Sequence, residues 1–289
     1  CTTCSLWDVA VHCDCKVALK RGIMITFVER LTVASRATRS LVCVGLDPDP
    51  DLMPVRDVLE FNKAVVDATK DLVCAYKPHL SFYEALGHRG LEDLEKTISY
   101  IRMVAPGVIV LGDGKRGDIA STNVRYAKAL LEVWGFDAAT VNGYAGGESL
   151  APFFQYEDKG VFVWCRSSNP GARELQDLRL SLETGAMSLY EWVARRAFEW
   201  NTHGNAGLVV GSTYPEELRV VRTHCPGMPI LIPGLGAQSG ALEAAVKFGL
   251  DARVFNILIS SSRGITYASR DRIGYAQAAR EAASKLRDG

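Results

Sequence analysis

The chain has 289 residues, 48% of them hydrophobic and 23% charged, which is the composition of a globular protein with a sizeable core. Its 33 basic and 33 acidic residues give a net charge of zero, which argues against nucleic acid or an anionic membrane as the main partner. No apolar run is long enough to span a bilayer, and charged residues interrupt the first positions, so we expect no membrane anchor and no signal peptide.

The first fifteen residues contain four of the eight cysteines, Cys1, Cys4, Cys13 and Cys15. A zinc site is conceivable there, but the spacing is not that of a standard zinc finger. We therefore expect residues 1–23 to be a leader or an extension and residues 24–289 to form a single domain. The remaining cysteines stand singly, at Cys43, Cys74, Cys165 and Cys225. They are typical of the buried, reduced thiols of a cytoplasmic enzyme.

After a predicted helix over 26–37, apolar strand-like runs alternate with amphipathic helical stretches. The predicted strands are 41–46, 74–77, 108–111, 138–141, 161–165, 207–210, 230–232 and 254–259. The predicted helices between and after them are 58–72, 91–104, 122–134, 149–156, 189–201, 215–223, 241–248 and 270–287. This alternation indicates a parallel sheet covered by helices. Eight such units favour a (β/α)8 barrel over a Rossmann-like sheet, since no Gly-x-Gly-x-x-Gly follows the first strand.

The most informative stretch runs from Asp113 through Lys115 to Asp118, directly after the predicted strand 108–111. Residues two apart on a strand face the same side, so Asp113 and Lys115 should project together, whereas Asp118 follows in a turn. Taken alone, this pattern is more often a plain ion pair than a catalytic group. Polar residues follow the other predicted strands too, at the end that carries the active site in such barrels. That recurrence favours a catalytic role.

The last two predicted strands lead into loops that are suited to binding a phosphate group. One loop is a glycine-rich segment that begins at Pro233, and the other contains serines followed by Arg263. Glycines let backbone N–H groups approach an anion, and a guanidinium can bind two phosphate oxygens. A long loop after strand five, with Ser168 at its root, could close over a ligand. The sequence has no paired-histidine motif for a metal. It therefore predicts a site of Asp and Lys side chains beside a phosphate-binding loop, and such a site is suited to proton transfer at a carbanion.

Six motifs, each at the proper strand end, closely resemble the orotidine 5′-phosphate decarboxylase family in its longer bacterial type. They are Leu46-Asp47-Pro48, Tyr76-Lys77-Pro78, Asp113-x-Lys115-Arg116-Gly117-Asp118-Ile119-x-Ser121-Thr122, Arg166-Ser167-Ser168-Asn169-Pro170-Gly171, Pro233-Gly234-x-Gly236-x-Gln238 and Ser261-Ser262-Arg263-Gly264. The resemblance runs from about residue 24 to the C-terminus. It implies a (β/α)8 barrel that makes UMP by decarboxylation, with no metal and no organic cofactor.

The resemblance also implies a role for each matching residue. An alternating charge array would consist of Lys77, Asp113, Lys115 and Asp118. Within it, Lys115 would protonate C6 after carbon dioxide leaves, and Asp113 would lie against the substrate carboxylate. The remaining matches would bind substrate: Asp47 with Lys77 at the ribose, Ser168 at the pyrimidine edge, and Gln238 and Arg263 at the phosphate, with Pro233 in the same strand-end motif.

Three residues of the family enter the neighbouring subunit's site, and they match Asp118, Ile119 and Thr122. The resemblance therefore implies a homodimer with shared active sites. Two positions depart from the family pattern, since Gly114 stands where alanine is usual and Gly143 where proline is expected. Two other functions remain open: a magnesium-dependent sugar-phosphate lyase or decarboxylase of the same suprafamily, and a catalytically silent nucleotide-binding barrel.

Overall fold

The computed structural model of the chain describes residues 25–183, 185–213, 215–234, 239–251 and 255–289. The expected leader and its four cysteines lie outside the described residues, as does Gln238. The single cysteines Cys43, Cys74, Cys165 and Cys225 are buried and free, as predicted. Within the described ranges, no helix has both the length and the apolar character needed to cross a membrane.

The described residues contain ten strands. They are β1 (Val42–Leu46), β2 (Ala75–Pro78), β3 (Ile109–Arg116), β4 (Ala138–Val141), β5 (Gly160–Arg166), β6 (Arg179–Leu182), β7 (Gly185–Ser188), β8 (Ala206–Val210), β9 (Ile230–Pro233) and β10 (Ile257–Ser261). Eight of them close into a parallel barrel in the order β1-β10-β9-β8-β5-β4-β3-β2, while β6 and β7 form a separate antiparallel hairpin. The predicted (β/α)8 barrel is confirmed.

One helix precedes the first barrel strand, and further helices follow the strands around the barrel. They are α1 (Phe27–Thr38), α2 (Val58–Thr69), α3 (Leu80–Ala85), α4 (Gly87–Val104), α5 (Ala120–Ala127), α6 (Gly147–Phe154), α7 (Arg173–Gln176), α8 (Leu189–Trp200), α9 (Pro215–His224), α10 (Ser239–Gly249), α11 (Arg263–Thr266) and α12 (Tyr275–Asp288). A π-helical segment, Lys128–Val133, continues α5. Because alternate strand residues face either these helices or the barrel interior, nearly every strand position is buried.

Helix α1 closes one end of the barrel and leaves the other end free for a site. Its N-terminus is fixed by a capping box between Thr26 and Glu29. Phe27 on its buried face packs edge-on against Phe162 in the barrel interior, with ring centroids 5.8 Å apart. A side chain at Gly160, the first residue of β5, would collide with Phe27. Helix α1 therefore covers the amino-terminal end of the strands, and the carboxyl ends remain accessible.

Several predicted ends of strands and helices were wrong, each where polar residues obscure the hydrophobic periodicity. The strand predicted over 108–111 continues to Arg116, with a register shift against β4. The last helix begins at Tyr275 instead of residue 270, because the side chain of Asp271 accepts the backbone N–H of Gly274 and so ends the loop. The loops predicted after strands two, five and eight contain the short helices α3, α7 and α11. Such short helices carry too little hydrophobic periodicity to be recognised.

Candidate active site

The predicted charge array lies at the carboxyl end of the barrel. Lys77 comes from β2, and Asp113 and Lys115 come from β3, which pairs with β2 in parallel. Lys77 Nζ lies 2.8 Å from Asp113 Oδ2, and Lys115 Nζ lies 2.8 Å from Asp113 Oδ1. Each carboxylate oxygen therefore accepts a hydrogen bond from a different ammonium group. The structure brings three of the four predicted catalytic residues together.

Thr140 on β4 completes this array and was missed in the sequence. Its Oγ1 donates to Asp113 Oδ1 at 2.8 Å and accepts the backbone N–H of Lys115 at 2.9 Å. That second bond holds Lys115 in a left-handed conformation, with φ of 44°, which is costly for a residue other than glycine. A threonine inside a strand is usually only a good β-former, so the sequence carried no specific signal for it.

The two ammonium groups and the carboxylate stabilise one another's charge. Burial would raise the pKa of Asp113, but Lys77 and Lys115 outweigh burial and hold that pKa well below its usual range. Burial also opposes the charge on Lys77, yet Asp113 and then Asp47 raise the pKa of its ammonium above the ordinary value. Burial lowers the pKa of His79, whose Nε2 lies 3.9 Å from Asp113 Oδ2.

The depressed pKa of Asp113 predicts a specific loss of stability in acid. The ionised carboxylate stabilises the folded state above its unfolded pKa of about 3.9, and this contribution is lost as the pH falls towards the lower folded pKa. The free energy of unfolding of the wild type, minus that of Asp113→Asn, should therefore fall by about 1.4 kcal/mol per pH unit below pH ~4. Urea denaturation of both proteins between pH 7 and pH 2.5 measures this difference. A difference that stays constant over that range would contradict the depressed pKa.

A cavity of about 580 Å³ opens beside the array, which is within the range of small-molecule sites. Lys77 belongs to both the array and the cavity wall. The rest of the wall comes from α3, from the ends of β9 and β10 and from the segments after β1, β9 and β10, and it includes Asp47, Pro233, Gly234 and Arg263. The exposed guanidinium of Arg263 gives this cavity a group that can bind an anion. The cavity thus joins the predicted phosphate residues to the charge array.

Asp47 is held ready for a ligand in this cavity. The hydroxyl of Tyr267 donates to the carbonyl of Asp47 at 2.6 Å and accepts the backbone N–H of Asp49 at 2.8 Å, which fixes the loop after β1. The Oδ1 atom of Asp47 is buried, yet none of the described residues makes a hydrogen bond to it. An unpaired buried acceptor is costly, so a ligand hydroxyl that donates to it would be favoured.

Ser168 lies near the same opening. Its carbonyl accepts the hydroxyl of Thr213 at 3.3 Å, and a side chain at Gly211 would collide with it. Its hydroxyl faces Gly234, which has a positive φ of 93° and lines the cavity. Ser168 therefore lies at the root of the long loop after β5, beside the cavity residue Gly234.

The other predicted residues lie apart from this array. Asp118 is exposed, and among the described residues its carboxylate bonds only to the backbone N–H of Ile119, at 2.6 Å. The Ile119 side chain is 64% exposed, and Thr122 is half-buried. Asn123 fixes this turn by donating to the carbonyls of Asp118 and Ser149. A single copy of the chain thus leaves the Asp118 turn pointing outward.

The two departures from the family pattern are accommodated differently. An added Cβ at Gly114 would meet nothing closer than 3.4 Å, so alanine would fit there and glycine is not required. At Gly143, a Cβ would lie 3.2 Å from the ring of Trp200 and 3.3 Å from Val163. Gly143 therefore leaves room for the Trp200 indole.

Comparison with known proteins gives a consistent result. The sequence model of the orotidine 5′-phosphate decarboxylase / HUMPS family matches residues 40–279. The chain is 48% identical to the orotidine 5′-phosphate decarboxylase of Thermomicrobium roseum over 91% of this chain and 94% of that protein. It is 46% identical to the enzyme of the same name from Ralstonia pickettii, over 91% of this chain and 97% of that one.

Solved structures agree with the sequence relatives. Leishmania donovani OMP decarboxylase superposes with a TM-score of 0.76 at 37% identity, covering 89% of this chain and 100% of that one. Leishmania donovani UMP synthase gives a TM-score of 0.77 at 40% identity, covering 90% of this chain and 57% of the longer one. Since the family model spans most of the barrel and its sequence relatives match over nearly their full length, the chain belongs to the orotidine 5′-phosphate decarboxylase / HUMPS family.

Proposed function

We propose that the protein decarboxylates orotidine 5′-phosphate to UMP and that Lys115 is the proton donor. The observation that carries this proposal is the Lys77–Asp113–Lys115 array beside a cavity that also contains Arg263. The bond between C6 and the carboxylate breaks, carbon dioxide leaves, and the electron pair stays on C6. The Lys115 ammonium then gives a proton to C6, and its neutral amine is reprotonated from solvent.

The array favours the charge distribution that develops during this reaction. The Asp113 carboxylate, kept ionised by its two lysines, would face the substrate carboxylate. As carbon dioxide leaves, the negative charge moves from the carboxylate to C6, away from Asp113 and towards the Lys115 ammonium. Fixed charges that interact better with the later state than with the substrate lower the barrier. The array needs no reorganisation, because Thr140 already holds both Asp113 and Lys115.

The substrate would lie across the cavity with its phosphate at the loops after β9 and β10. There Arg263 would bind the phosphate, next to Pro233 and, from outside the described residues, Gln238. The unpaired Asp47 Oδ1 would accept a ribose hydroxyl, with Lys77 at its other side. The hydroxyl of Ser168 would bind the edge of the pyrimidine.

Replacing Arg263 with alanine tests the phosphate assignment. The change should lower kcat/KM for orotidine 5′-phosphate by about ten- to a hundredfold, because charge-assisted hydrogen bonds contribute about 1.5–3 kcal/mol each. Turnover of orotidine, which lacks the phosphate, should be unaffected. Arg272→Ala is the matched control, since Arg272 is exposed and outside the cavity lining. Equal losses with orotidine and with its phosphate would refute the assignment.

We further propose that the working form is a homodimer with shared active sites. The outward Asp118 turn supports this, because an exposed apolar side chain such as Ile119 beside an exposed carboxylate suits insertion into a second copy. Asp118, Ile119 and Thr122 would then reach the partner's array. A nucleotide remains the expected ligand, and the cytoplasm the expected compartment, where free buried thiols are usual.

The magnesium-dependent alternative is less well supported. A metal-dependent lyase needs several carboxylates grouped around the cation, but both oxygens of Asp113 are occupied by Lys77, Lys115 and Thr140, and within the described residues no three His, Cys, Asp or Glu side chains are grouped to hold a metal ion. A silent nucleotide-binding barrel is also less well supported, since the charges that catalysis requires are all present. Product analysis separates the three functions. Release of carbon dioxide and UMP in equal amounts supports our proposal, whereas a magnesium-dependent aldol product or no product would overturn it.

A further inference from the structure

A buried arginine lies at the end of β5, directly before the loop that contains Ser168. Arg166 is only 1% exposed. Its Nε lies 2.6 Å from Glu217 Oε2 and its Nη2 lies 2.9 Å from Glu217 Oε1, so α9 holds the guanidinium by two parallel bonds. The guanidinium also lies over the ring of Tyr190, with its Cζ atom 5.2 Å from the ring centroid. Because burying a charge is expensive, an arginine held this firmly calls for an explanation.

The remaining nitrogen of Arg166 contacts the loop itself. Its Nη1 lies 2.9 Å from Asp177 Oδ1 and donates to Gln176 Oε1 at 3.3 Å. Gln176 in turn bonds twice to Ser167. Its Oε1 accepts the backbone N–H of Ser167 at 2.9 Å, and its Nε2 donates to the Ser167 hydroxyl at 2.9 Å. Ser167 and Gln176, nine positions apart, are thereby joined. Through Arg166, both are connected to Glu217 on α9.

These contacts converge on the residue that precedes Ser168. Since Ser167 is fixed through its backbone N–H and its hydroxyl, the orientation of the next peptide is restricted. The carbonyl of Arg166 accepts the N–H of Gly211, which fixes the same segment from β8. Ser168 itself is exposed, and its side chain makes no comparable contacts within the described chain. Arg166 and Gln176 therefore fix the residue directly before Ser168.

We propose that Arg166 and Gln176 are positioning residues that hold the Ser168 hydroxyl where the pyrimidine edge binds. This inference rests on the proposed function and on the role of Ser168 within it. A loop that is already ordered loses less conformational entropy when substrate binds, so the contact with Ser168 is stronger. Glu217 anchors the guanidinium, Arg166 holds Gln176, and Gln176 holds Ser167. Neither Arg166 nor Gln176 needs to touch the substrate.

Gln176 gives the cleaner test, because removing Arg166 would leave Glu217 without its partner and could unfold the protein. Gln176 is only partly buried, and Gln176→Leu removes all of its hydrogen bonds at similar size. Gln176→Glu keeps the acceptors for Arg166 and for the Ser167 N–H, and the Ser167 hydroxyl can donate to it. Gln155→Leu, at an exposed position on the end of α6, is the matched control.

The experiment measures kcat/KM for orotidine 5′-phosphate in the full-length variants and in their combinations with Ser168→Ala. We expect Gln176→Leu to lower kcat/KM about tenfold, which is the effect of losing the hydrogen bond between Ser168 and the pyrimidine. Gln176→Glu should be close to wild type. In the Ser168→Ala background, Gln176→Leu should have no further effect, because the residue it positions is gone. Gln155→Leu should match the wild type in both backgrounds.

The double variant separates positioning from a general structural role. If the effects of Gln176→Leu and Ser168→Ala multiply, Gln176 acts independently of Ser168 and the inference is wrong. An unchanged kcat/KM in Gln176→Leu also overturns it. Both results require an active wild type. A wild type that does not turn over orotidine 5′-phosphate would instead refute the proposed function, so the two failures are distinguishable.

Discussion

Lys115→Ala should lower kcat for orotidine 5′-phosphate by at least about 10⁴-fold, the upper range for loss of a general acid that also stabilises charge. The Lys115 Nζ is bonded to Asp113 Oδ1, and the other ammonium of the array, Lys77, is bonded to Asp113 Oδ2 and lines the cavity. Because the proposed site places Lys77 at the ribose with Asp47, we do not expect it to replace Lys115 as the proton donor to C6. Stopped-flow or steady-state absorbance measurements give kcat directly.

Binding should survive this change. The groups proposed to bind ribose and phosphate, Asp47 and Arg263, line the cavity independently of Lys115. Titration calorimetry should therefore give a UMP affinity within a few-fold of the wild type. Lys285→Ala, on the exposed face of α12, serves as the matched control and should be fully active. A Lys115→Ala protein with substantial remaining turnover would show that another group supplies the proton.

The second large effect concerns Asp118. Asp118→Ala should be nearly inactive although Asp118 lies outside the array of its own chain, because the proposed dimer inserts it into the partner's site. Co-expression of Asp118→Ala and Lys115→Ala chains with different tags, followed by purification on both tags, gives the heterodimer. One of its two sites then combines an intact Lys115 with an intact Asp118. Its activity should be about half that of the wild type, because one of two symmetric sites is restored.

The control for this experiment is a heterodimer of Lys77→Ala and Lys115→Ala chains. Lys77 and Lys115 bond to the same Asp113 within one chain, so each site of that heterodimer carries one defect. It should be as inactive as the two parents. If the Asp118 heterodimer is equally inactive, or if Asp118→Ala alone is fully active, the sites are not shared in this way.

The barrel and the centre of its site could be predicted from the sequence because their signals are local. Apolar runs that alternate with helical stretches define the strands, and parallel strands bring their carboxyl ends to one side. Lys77, Asp113 and Lys115 stand at those ends, so their meeting follows from topology. The extension of β3 to Arg116 was missed, because polar residues after an apolar run normally indicate a turn.

What the sequence did not reveal depends on contacts between distant residues. Arg166 and Glu217 are 51 positions apart, and nothing in either segment indicates that they pair. Thr140 was missed for the same reason, since its importance comes only from the neighbouring strand that carries Asp113. Asp118 is the opposite case. The resemblance gave it a role, whereas the geometry of one chain leaves it exposed, because its proposed target lies on a second copy.

The most direct test of the central claim is the absorbance of orotidine 5′-phosphate incubated with the purified protein in EDTA. The Lys77–Asp113–Lys115 array contains the charges and the proton that the reaction requires. We therefore predict that the absorbance falls at a rate that EDTA does not change and that UMP accumulates in equal amount. An absorbance that stays constant, or that falls only when magnesium is added, would contradict the account.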